Sequence, residues 1–383
     1  MINITIRYDN GERKIDFPCL GKNLDTKLKE LGVSDLTDAK MFVSHVNDYK
    51  LFSFFEDDFI DLDELNVLAY RLNALDTKEL RKFGCIVEEY NIKNMSELIN
   101  LTSNLHRYTL IQDMSSAEQI GRTHYFTRLQ SISEDKNRTV DFAKLGRELV
   151  NSGMGRFTEY GMLFLSDDIP AEITYNGIPT PENIYGDKSI EISITKDDKN
   201  ISLWLPESEN TINRMLKRLN TSLDDNDFSV EFKYYEGESQ EWRDRLKEIL
   251  NDEGLISLNK IANSINALGA ENELEKLTAL MEYADVTEPD DIVKLADNID
   301  KFHFIEGATE YSDMSSHVID ELEDYHISIE LYDYFDEEKF GEDQMDEKNG
   351  KFVNGGIVYM KNNYSLSEIL DREEEQSMSM GGM

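Results

Sequence analysis

Six histidines and two cysteines are the side chains in this 383-residue sequence that are best suited to metal binding or nucleophilic chemistry. The histidines are scattered, and the closest pair, His317 and His326, lies nine residues apart without a His-Glu-x-x-His pattern. Cys19 and Cys85 share no Cys-x-x-Cys spacing. We therefore expect no thiolate metal site and no disulfide framework, and cysteine usage this low is typical of a reducing cytoplasm.

Carboxylates are the most abundant reactive groups, with 78 Asp and Glu against 40 Lys and Arg. Paired carboxylates occur throughout the chain, so pairing alone does not single out a general acid and a general base. The sequence has no Gly-x-Ser-x-Gly nucleophile motif and no phosphate-binding glycine loop. We expect no enzymatic activity, no cofactor and no dedicated metal site.

The net charge of −38 limits the classes of partner that this chain can bind. Nucleic acids and anionic membrane surfaces both require positive charge on the protein, so we expect neither as a direct partner. The N-terminal sequence MINITIRYDNG alternates like a strand and does not resemble a signal peptide. No stretch approaches 18 apolar residues, which predicts a soluble, cytoplasmic protein.

The acidic residues are concentrated in the second half of the chain. Residues 1–190 hold 31 acids and 22 bases, whereas residues 191–383 hold 47 acids and 18 bases. The densest stretch, 282–347, has 23 acids and three lysines. A solvated surface that keeps the protein soluble would explain an ordinary acidic segment. This stretch, however, is interleaved with aromatic and aliphatic residues, as in ELEDYHISIELYDYF, which predicts a folded acidic surface and a positively charged partner.

Regularly spaced carboxylates on a folded surface can imitate the phosphates of a DNA duplex. Side chains at i, i+3 and i+4 on a helix stand about 5–6 Å apart, and B-DNA carries one phosphate per about 3.4 Å of axis on each strand. The predicted phosphate mimics in the second half are Asp313, Asp320, Glu321, Glu323, Asp324, Glu330, Asp333, Asp336, Glu337 and Glu338. Those in the first half are Glu56, Asp57, Asp58, Asp61, Asp63 and Glu64.

The sequence that must position these acids repeats itself. The segment Asp113-Met114-Ser115-Ser116 returns as Asp313-Met314-Ser315-Ser316. Three further blocks correspond in the same order, at offsets between 188 and 195 residues. Matched positions include Ile4 with Ile192, Ile6 with Ile194, Pro18 with Pro206, Leu24 with Ile212, Leu28 with Leu216, Gly146 with Gly341 and Gly161 with Gly356. Ordered blocks with drifting offsets predict a duplicated unit with small loop insertions.

A proline-containing segment separates the two copies. Residues 166–188 hold Pro170, Pro179 and Pro181, three of the six prolines in the chain, which is typical of a linker. We therefore predict a first unit at 1–165, a linker at 166–188, a strongly acidic second unit at 189–363 and a flexible tail at 364–383. Cleavage near Pro179 is then expected to leave two fragments that fold independently.

Hydrophobic periodicity predicts the same order of elements in both units. Alternating strands open each unit, three amphipathic helices form its middle, and a glycine-punctuated hairpin closes it. With 18 Tyr and 18 Phe, each unit can bury a core. We predict an α+β fold of two homologous elongated units, each with small antiparallel β lobes flanking a helical middle.

Several blocks of the first unit resemble the ArdA antirestriction family, which is carried by conjugative and phage elements. They are the IDFP turn at 15–18, the block MFVSHVNDYKLFSFFEDDFIDLDELNVLAYRL at 41–72, YTLIQDMSS at 108–116 and FAKLGRELVNSGMGRFTEYGMLF at 142–164. The aromatic and acidic turn before Glu64 and the final glycine pattern are the most specific features. The second unit resembles the family more weakly but follows the same order.

The resemblance implies a catalytically inert, elongated protein that mimics bent B-DNA and occupies the DNA-binding groove of a type I restriction-modification enzyme in a bacterial host cell. Family members are usually about half this length and pair as dimers, so two units in one chain imply an internal pseudo-dimer and leave a homodimer open. Another DNA-binding defence protein could be the target. The alternative function is an acidic adaptor or antitoxin-like protein that neutralises a basic partner or defence system without imitating DNA.

Overall fold

The computed structural model describes most of the chain, as two compact units. The described residues are 1–47, 50–128, 140–166, 168–179, 189–225, 227–237, 240–268, 271–322, 327–332, 334–361 and 364–371. The first compact unit comprises residues 1–186, 193–203 and 207–230. The second comprises residues 187–192, 204–206 and 231–383. The first compact unit thus takes in two segments that follow the proline-containing region in sequence.

The first compact unit opens with a four-stranded antiparallel sheet and one helix. The strands are β1 (Ile2–Tyr8), β2 (Gly11–Phe17), β3 (Lys40–Val46) and β4 (Asp58–Asp61), in the order β2-β1-β3-β4. Helix α1 (Gly21–Glu30) buries Leu24 and Leu28, one turn apart. These leucines belong to the same core cluster as Ile4 and Val43 of the sheet.

Three helices continue this core. They are α2 (Leu62–Asn73), α3 (Thr77–Tyr90) and α4 (Met95–Ser103). Each begins with a side chain that accepts hydrogen bonds from the first free backbone N–H groups, namely Asp61, Asp76 and Asn94. Leucines at i and i+3, such as Leu65 and Leu68 of α2, face the core because this spacing falls on one side of a helix.

A second, smaller lobe follows the helical middle. It contains β5 (Tyr108–Ile111), α5 (Ala117–Arg128), α6 (Phe142–Asn151), β6 (Gly155–Thr158) and β7 (Gly161–Leu165), with the sheet order β5-β7-β6. Helices α5 and α6 cross closely at Gly146, where a Cβ atom would lie 1.7 Å from the carbonyl oxygen of Ala117. Glycine at this position therefore allows backbone-to-backbone contact.

A third sheet and a helix lie after the proline-containing region in sequence. The strands are β8 (Ile190–Lys196), β9 (Lys199–Leu205) and β10 (Ser229–Tyr235), in the order β10-β8-β9, and the helix is α7 (Glu209–Arg218). Helix α7 begins at Ser208, whose side chain accepts a hydrogen bond from the backbone of Thr211. Ile212 and Leu216 of α7 are fully buried, so this helix is part of a packed core.

The second compact unit has a helical middle of its own. It is formed by α8 (Gln240–Ala267), α9 (Glu271–Ala284) and α10 (Pro289–Asp297). Helix α8 is interrupted at Gly254, which has φ +82° and ψ −175°. This backbone conformation favours glycine, and it divides the helix into two stretches.

The last lobe carries the densest acidic sequence. Its elements are β11 (Phe302–Glu306), α11 (Tyr311–Ser316) with a π-helical turn at His317–Glu321, α12 (Ile329–Tyr332), α13 (Glu337–Glu347), β12 (Lys351–Val353), β13 (Gly356–Met360) and α14 (Leu366–Leu370). The sheet order is β11-β13-β12. Gly341 of α13 meets the carbonyl oxygen of Tyr311 so closely that a Cβ atom would lie 1.8 Å from it.

The α+β class predicted from the sequence is confirmed. The order of elements also recurs: the sheet β5-β7-β6 with α5 and α6 has the same strand order as β11-β13-β12 with α11 and α13. Common ancestry of the two halves stays a prediction. Strand β4 and residues 240–253 of α8 were not predicted from the pattern. Within the described residues, the structure contains no helix with the length and apolar character that a membrane crossing requires.

Candidate partner-binding surface

Helix α13 presents the most regular set of exposed carboxylates in the predicted acidic stretch. Its 11 residues, EEKFGEDQMDE, include six acids and one lysine. Gly341, Gln344 and Met345 are buried and form the inner face. The outer face consists of exposed carboxylates, which we call the α13 stripe: Glu338, Glu342, Asp343, Asp346 and Glu347.

Helical geometry spaces the α13 stripe much like a strand of DNA. Glu338, Glu342 and Asp346 are four residues apart in sequence, which corresponds to about 6 Å along the helix axis for each step. Asp343 and Glu347 form a second row with the same spacing. Six acids and one lysine leave five net negative charges, or about one per 3 Å of axis. One strand of B-DNA carries one phosphate per about 3.4 Å.

The contact between Gly341 and Tyr311 holds this helix in place. Because backbone meets backbone at that point, α13 lies close against α11, and the side chain of Met345 packs in the same small core as Met314 and Ile357. The carboxylates of the stripe therefore stand on a fixed scaffold. Among them, Asp343 is 3.9 Å from the ammonium of Lys339, a long and exposed contact that is worth little.

Two of the predicted phosphate mimics in the second half cap helices. Asp336 accepts a hydrogen bond from the backbone of Lys339 at 3.1 Å and begins α13. Asp313 accepts hydrogen bonds from the backbones of Thr309 and Glu310, at 2.7 and 3.0 Å. Each places its carboxylate near the start of a helix, where the helix dipole favours an anion. Both serve the fold in addition to any contact with a partner.

The other predicted acids of the second half are more dispersed. Asp320 lies on the π-helical turn and Glu330 on α12, and both are exposed, as is Glu338 of the stripe. Glu337 is partly buried at the start of α13. Glu323, Asp324, Asp333 and the side chain of Glu321 lie outside the described residues.

Sequence reasoning missed four of the five members of the α13 stripe. Glu342, Asp343, Asp346 and Glu347 were not among the predicted mimics, although they stand next to them in sequence. The signal that could have found them is their helical spacing around the buried residues Gly341, Gln344 and Met345. The prediction followed local charge density instead, and therefore stopped at Glu338.

Three predicted acids of the first half lie just before β4 and at its first residue. The carboxylate of Glu56 accepts a hydrogen bond from the backbone of Val46 at 2.8 Å and contacts the His45 ring at 2.7 Å. Asp57 and Asp58 are exposed. Asp57 has φ +61°, so it occupies the left-handed region at a turn. Asp57 and Asp58 are thus free to face a partner, whereas Glu56 is engaged within the fold.

Asp61 and Asp63 are bound by two arginines of α7. Asp63 accepts from Nε of Arg214 at 3.0 Å and from Nη2 of Arg218 at 3.0 Å. Asp61 lies 2.8 Å from Nη2 of Arg218 and also caps α2. Burial alone would lower the pKa of Arg214, but Asp63 and Asp25 outweigh burial and raise it. Asp63 is buried, and its carboxylate is engaged by both arginines.

Glu64 anchors part of the proline-containing segment. It accepts a hydrogen bond from the hydroxyl of Tyr175 at 2.7 Å, and Tyr175 is buried. Burial raises the pKa of Glu64 above its ordinary value, while the bond from Tyr175 opposes the shift. The side chains of Asn100 and Asn104 add hydrogen bonds to the backbone between 172 and 175. The described part of the predicted linker is therefore packed against α2 and α4.

The helix of the first half that corresponds to α13 has the opposite charge. Helix α6, FAKLGRELVN, contains Lys144, Arg147 and Glu148 and carries one net positive charge. It makes the same close glycine contact with its neighbouring helix, at Gly146. The close glycine contact therefore recurs in both halves, but of these two described helices only α13 displays a row of carboxylates.

Comparison with known proteins does not add an identification. No family model matches the chain, and no curated protein matches it. The geometry offers a rigid, regularly spaced anionic surface, which suits the recognition of a cationic partner.

Proposed function

We propose that this protein is a non-catalytic inhibitor that mimics DNA and binds the DNA-binding groove of a host type I restriction-modification enzyme or of a similar DNA-binding defence protein. Binding takes place in the bacterial cytoplasm and involves no direct contact with nucleic acid. The sequence resemblance to the ArdA family supports this proposal. The α13 stripe supports it independently, because its charge spacing approaches that of a DNA strand.

The observation that carries the proposal is the placement of the α13 stripe on a fixed helix. A flexible acidic tail would also attract a basic groove, but it could not hold a constant distance between charges. Carboxylates four residues apart on α13 keep that distance because Gly341 seats the helix against Tyr311. Preorganised charges of this kind favour both the rate and the specificity of association.

The proposed partner-binding surface contains only some of the acids that were predicted from the sequence. It comprises the α13 stripe together with the exposed acids Asp320, Glu330 and Asp336. Asp61 and Asp63 are engaged by arginines, and Glu56 and Glu64 by neighbouring groups. In the first half, Asp57 and Asp58 are the predicted mimics that keep exposed carboxylates in the described structure.

The test is inhibition of DNA cleavage by a purified type I restriction enzyme. In the stripe variant, all five carboxylates become amides: Glu338→Gln, Glu342→Gln, Asp343→Asn, Asp346→Asn and Glu347→Gln. A single exposed ion pair is worth about 0–1 kcal/mol, so the loss of five contacts should weaken inhibition by about tenfold or more. Melting temperature monitors the fold, which should be retained because the stripe is exposed.

A charge-matched control separates mimicry from simple attraction. Five exposed glutamates outside the second compact unit become glutamines: Glu12, Glu88, Glu97, Glu118 and Glu159. This control changes the net charge by the same amount and should leave inhibition within about threefold of wild type, the effect of one weak exposed ion pair. Equal losses in the two variants would indicate that the protein is an acidic adaptor that responds to total charge, and would overturn DNA mimicry.

A further inference from the structure

The second compact unit contains a groove with an apolar floor. Its volume is about 680 Å³, and its lining comes from α8, α9, the turn after α9, β11 and the hairpin between β12 and β13. Trp242, Met281 and Val286 are buried beneath it, and Phe304 is half-buried. Pockets that hold a small ligand or several side chains have volumes of about 300–1,000 Å³. This groove is therefore large enough for more than one side chain.

The rim of the groove is acidic. Glu275, Glu282, Asp285 and Glu306 line it, and all four residues are exposed. The lining also includes Arg245, whose guanidinium is 2.7 Å from the carboxylate of Glu248 and therefore already paired. An anionic ligand would meet four carboxylates at the entrance. The combination of an apolar floor with an anionic rim is complementary to a ligand that is both apolar and cationic.

One side of the groove is bare backbone. Gly307 donates a hydrogen bond to the carbonyl oxygen of Gly355 at 2.7 Å, and both glycines have positive φ, +74° and +90°. No side chain covers the groove at these two positions. The groove is therefore open along an edge, which suits a chain segment that lies across it better than a small molecule that must be enclosed.

We propose that this groove binds a basic amphipathic segment of a partner protein. Apolar side chains of the segment contact the floor formed by Trp242, Met281 and Phe304, while its lysines or arginines pair with the rim carboxylates. DNA mimicry requires regularly spaced charges, whereas this contact also requires apolar side chains. The lining contains no residue of α13. The inference therefore stands whether or not the α13 stripe imitates DNA.

Two synthetic peptides test the inference with the full-length protein. Both are 12-residue helical peptides with the same number of lysines; one carries leucine on its apolar face, and the other has serine at those positions. The leucine peptide should bind at least about tenfold more tightly, a difference of about 1.4 kcal/mol. Because both peptides carry the same charge, the general attraction of a cation to an acidic protein cancels in the ratio of their affinities. A ratio near one would overturn the inference, and so would the absence of binding by both peptides.

Variants then locate the binding site. Thr278→Trp, on the groove wall, should fill the groove and bring the ratio of affinities close to one, and Phe304→Ala should reduce it by removing part of the floor. The double variant Glu275→Lys with Glu306→Lys changes only exposed side chains and should weaken both peptides by about tenfold or more. The five-residue α13 stripe variant is the matched control and should preserve the ratio. A ratio that survives Thr278→Trp and Phe304→Ala, or that is lost in the stripe variant, would place the apolar contact elsewhere and overturn the inference.

Discussion

Arg214 and Asp25 form a buried ion pair across 189 positions of sequence, with 2.8 Å between Nη1 and Oδ1. Arg214 is only 1% exposed, and every part of its guanidinium is engaged: Nη1 also donates to the carbonyl oxygen of Leu36, Nε to Asp63 and Nη2 to Thr211. Asp25 accepts further bonds from Ser208 and Asn210. The network joins α7 to α1 and α2 within the first compact unit.

This network defines which part of the chain folds together. Buried charges are tolerated only when they are paired and hydrogen-bonded, and the carboxylates of Asp25 and Asp63 obtain their partners from α7. Residues 207–230 consequently belong to the compact unit that begins at Met1. The two halves differ in this contact, since the predicted repeat alignment places Thr26 opposite Arg214.

Removal of one carboxylate from this network should destabilise the protein strongly. Asp63→Asn removes the carboxylate that Arg214 and Arg218 share. Arg214 keeps Asp25 and Arg218 keeps Asp61, so the loss of these charge-assisted hydrogen bonds should cost about 1.5–3 kcal/mol of unfolding free energy. Urea unfolding measures the loss. The control is Glu30→Gln, which breaks the exposed pair between Arg13 and Glu30 and should cost about 0–1 kcal/mol. Equal midpoints for the two variants would contradict the role given to Asp63.

Cleavage of the chain between the two predicted units should not release two independent domains. A protease site introduced within residues 181–188 would leave α7 on the C-terminal fragment. Asp25 and Asp63 of the N-terminal fragment would then depend on arginines of the other fragment. The two fragments should therefore remain associated after cleavage, because Arg214 and Arg218 hold residues 207–230 to the first fragment. Size-exclusion chromatography at neutral pH shows whether the two fragments elute together. Fragments that elute separately, each with a cooperative melt, would support the boundary predicted from the prolines.

The acidic residues show how far sequence reasoning extends for the site. Charge density directed attention to the region around α13, but density alone could not distinguish Glu342, which is exposed, from Asp63, which is buried. The partners of Asp63 lie more than 150 residues away, at Arg214 and Arg218. Such long-range pairing follows from tertiary structure, and no local pattern in the sequence indicates it.

The fold was easier to predict because its signals are local. Alternating side chains predicted the strands that open the first unit, and amphipathic spacing predicted three helices in its middle, which correspond to β1 and β2 and to α2 to α4. Strand β4 was missed because its four residues, DFID, follow an aromatic turn and are too few to show a period. In α8, Trp242, Leu246 and Ile249 have helical spacing and are buried, so the stretch before Gly254 carried a helical signal that the prediction did not use.

His303 should make the second compact unit less stable in acid. Burial, followed by the positive charges nearby at Lys361, Lys276 and Lys348 and by His317, lowers the pKa of His303 to about 4. In the unfolded chain this ring takes up a proton near pH 6.5, so the unfolded state binds more protons between these values. The stability contributed by neutral His303 is therefore complete above about pH 6.5 and is lost as the pH falls towards about 4.

The variant His303→Phe isolates this contribution. Phenylalanine preserves the stacking on the Tyr359 ring, whose centroid lies 4.7 Å away, and it removes the titrating group. Urea midpoints at about pH 7 and about pH 5, on either side of the unfolded pKa, should then differ less for the variant than for the wild type. Carboxylates that take up protons over the same range affect both proteins equally. An identical change of midpoint in the two proteins would contradict the effect assigned to His303.

Direct competition with DNA tests the central proposal. The full-length protein carries a fluorescent label and is bound to a purified type I restriction-modification enzyme, and unlabelled duplex containing the recognition site is then added at constant salt. If the α13 stripe occupies the DNA-binding groove, DNA should displace the labelled protein completely, with a midpoint set by the affinities of the enzyme for DNA and for the labelled protein. The stripe variant should be displaced at lower DNA concentrations. A stable ternary complex of enzyme, duplex and labelled protein would contradict DNA mimicry.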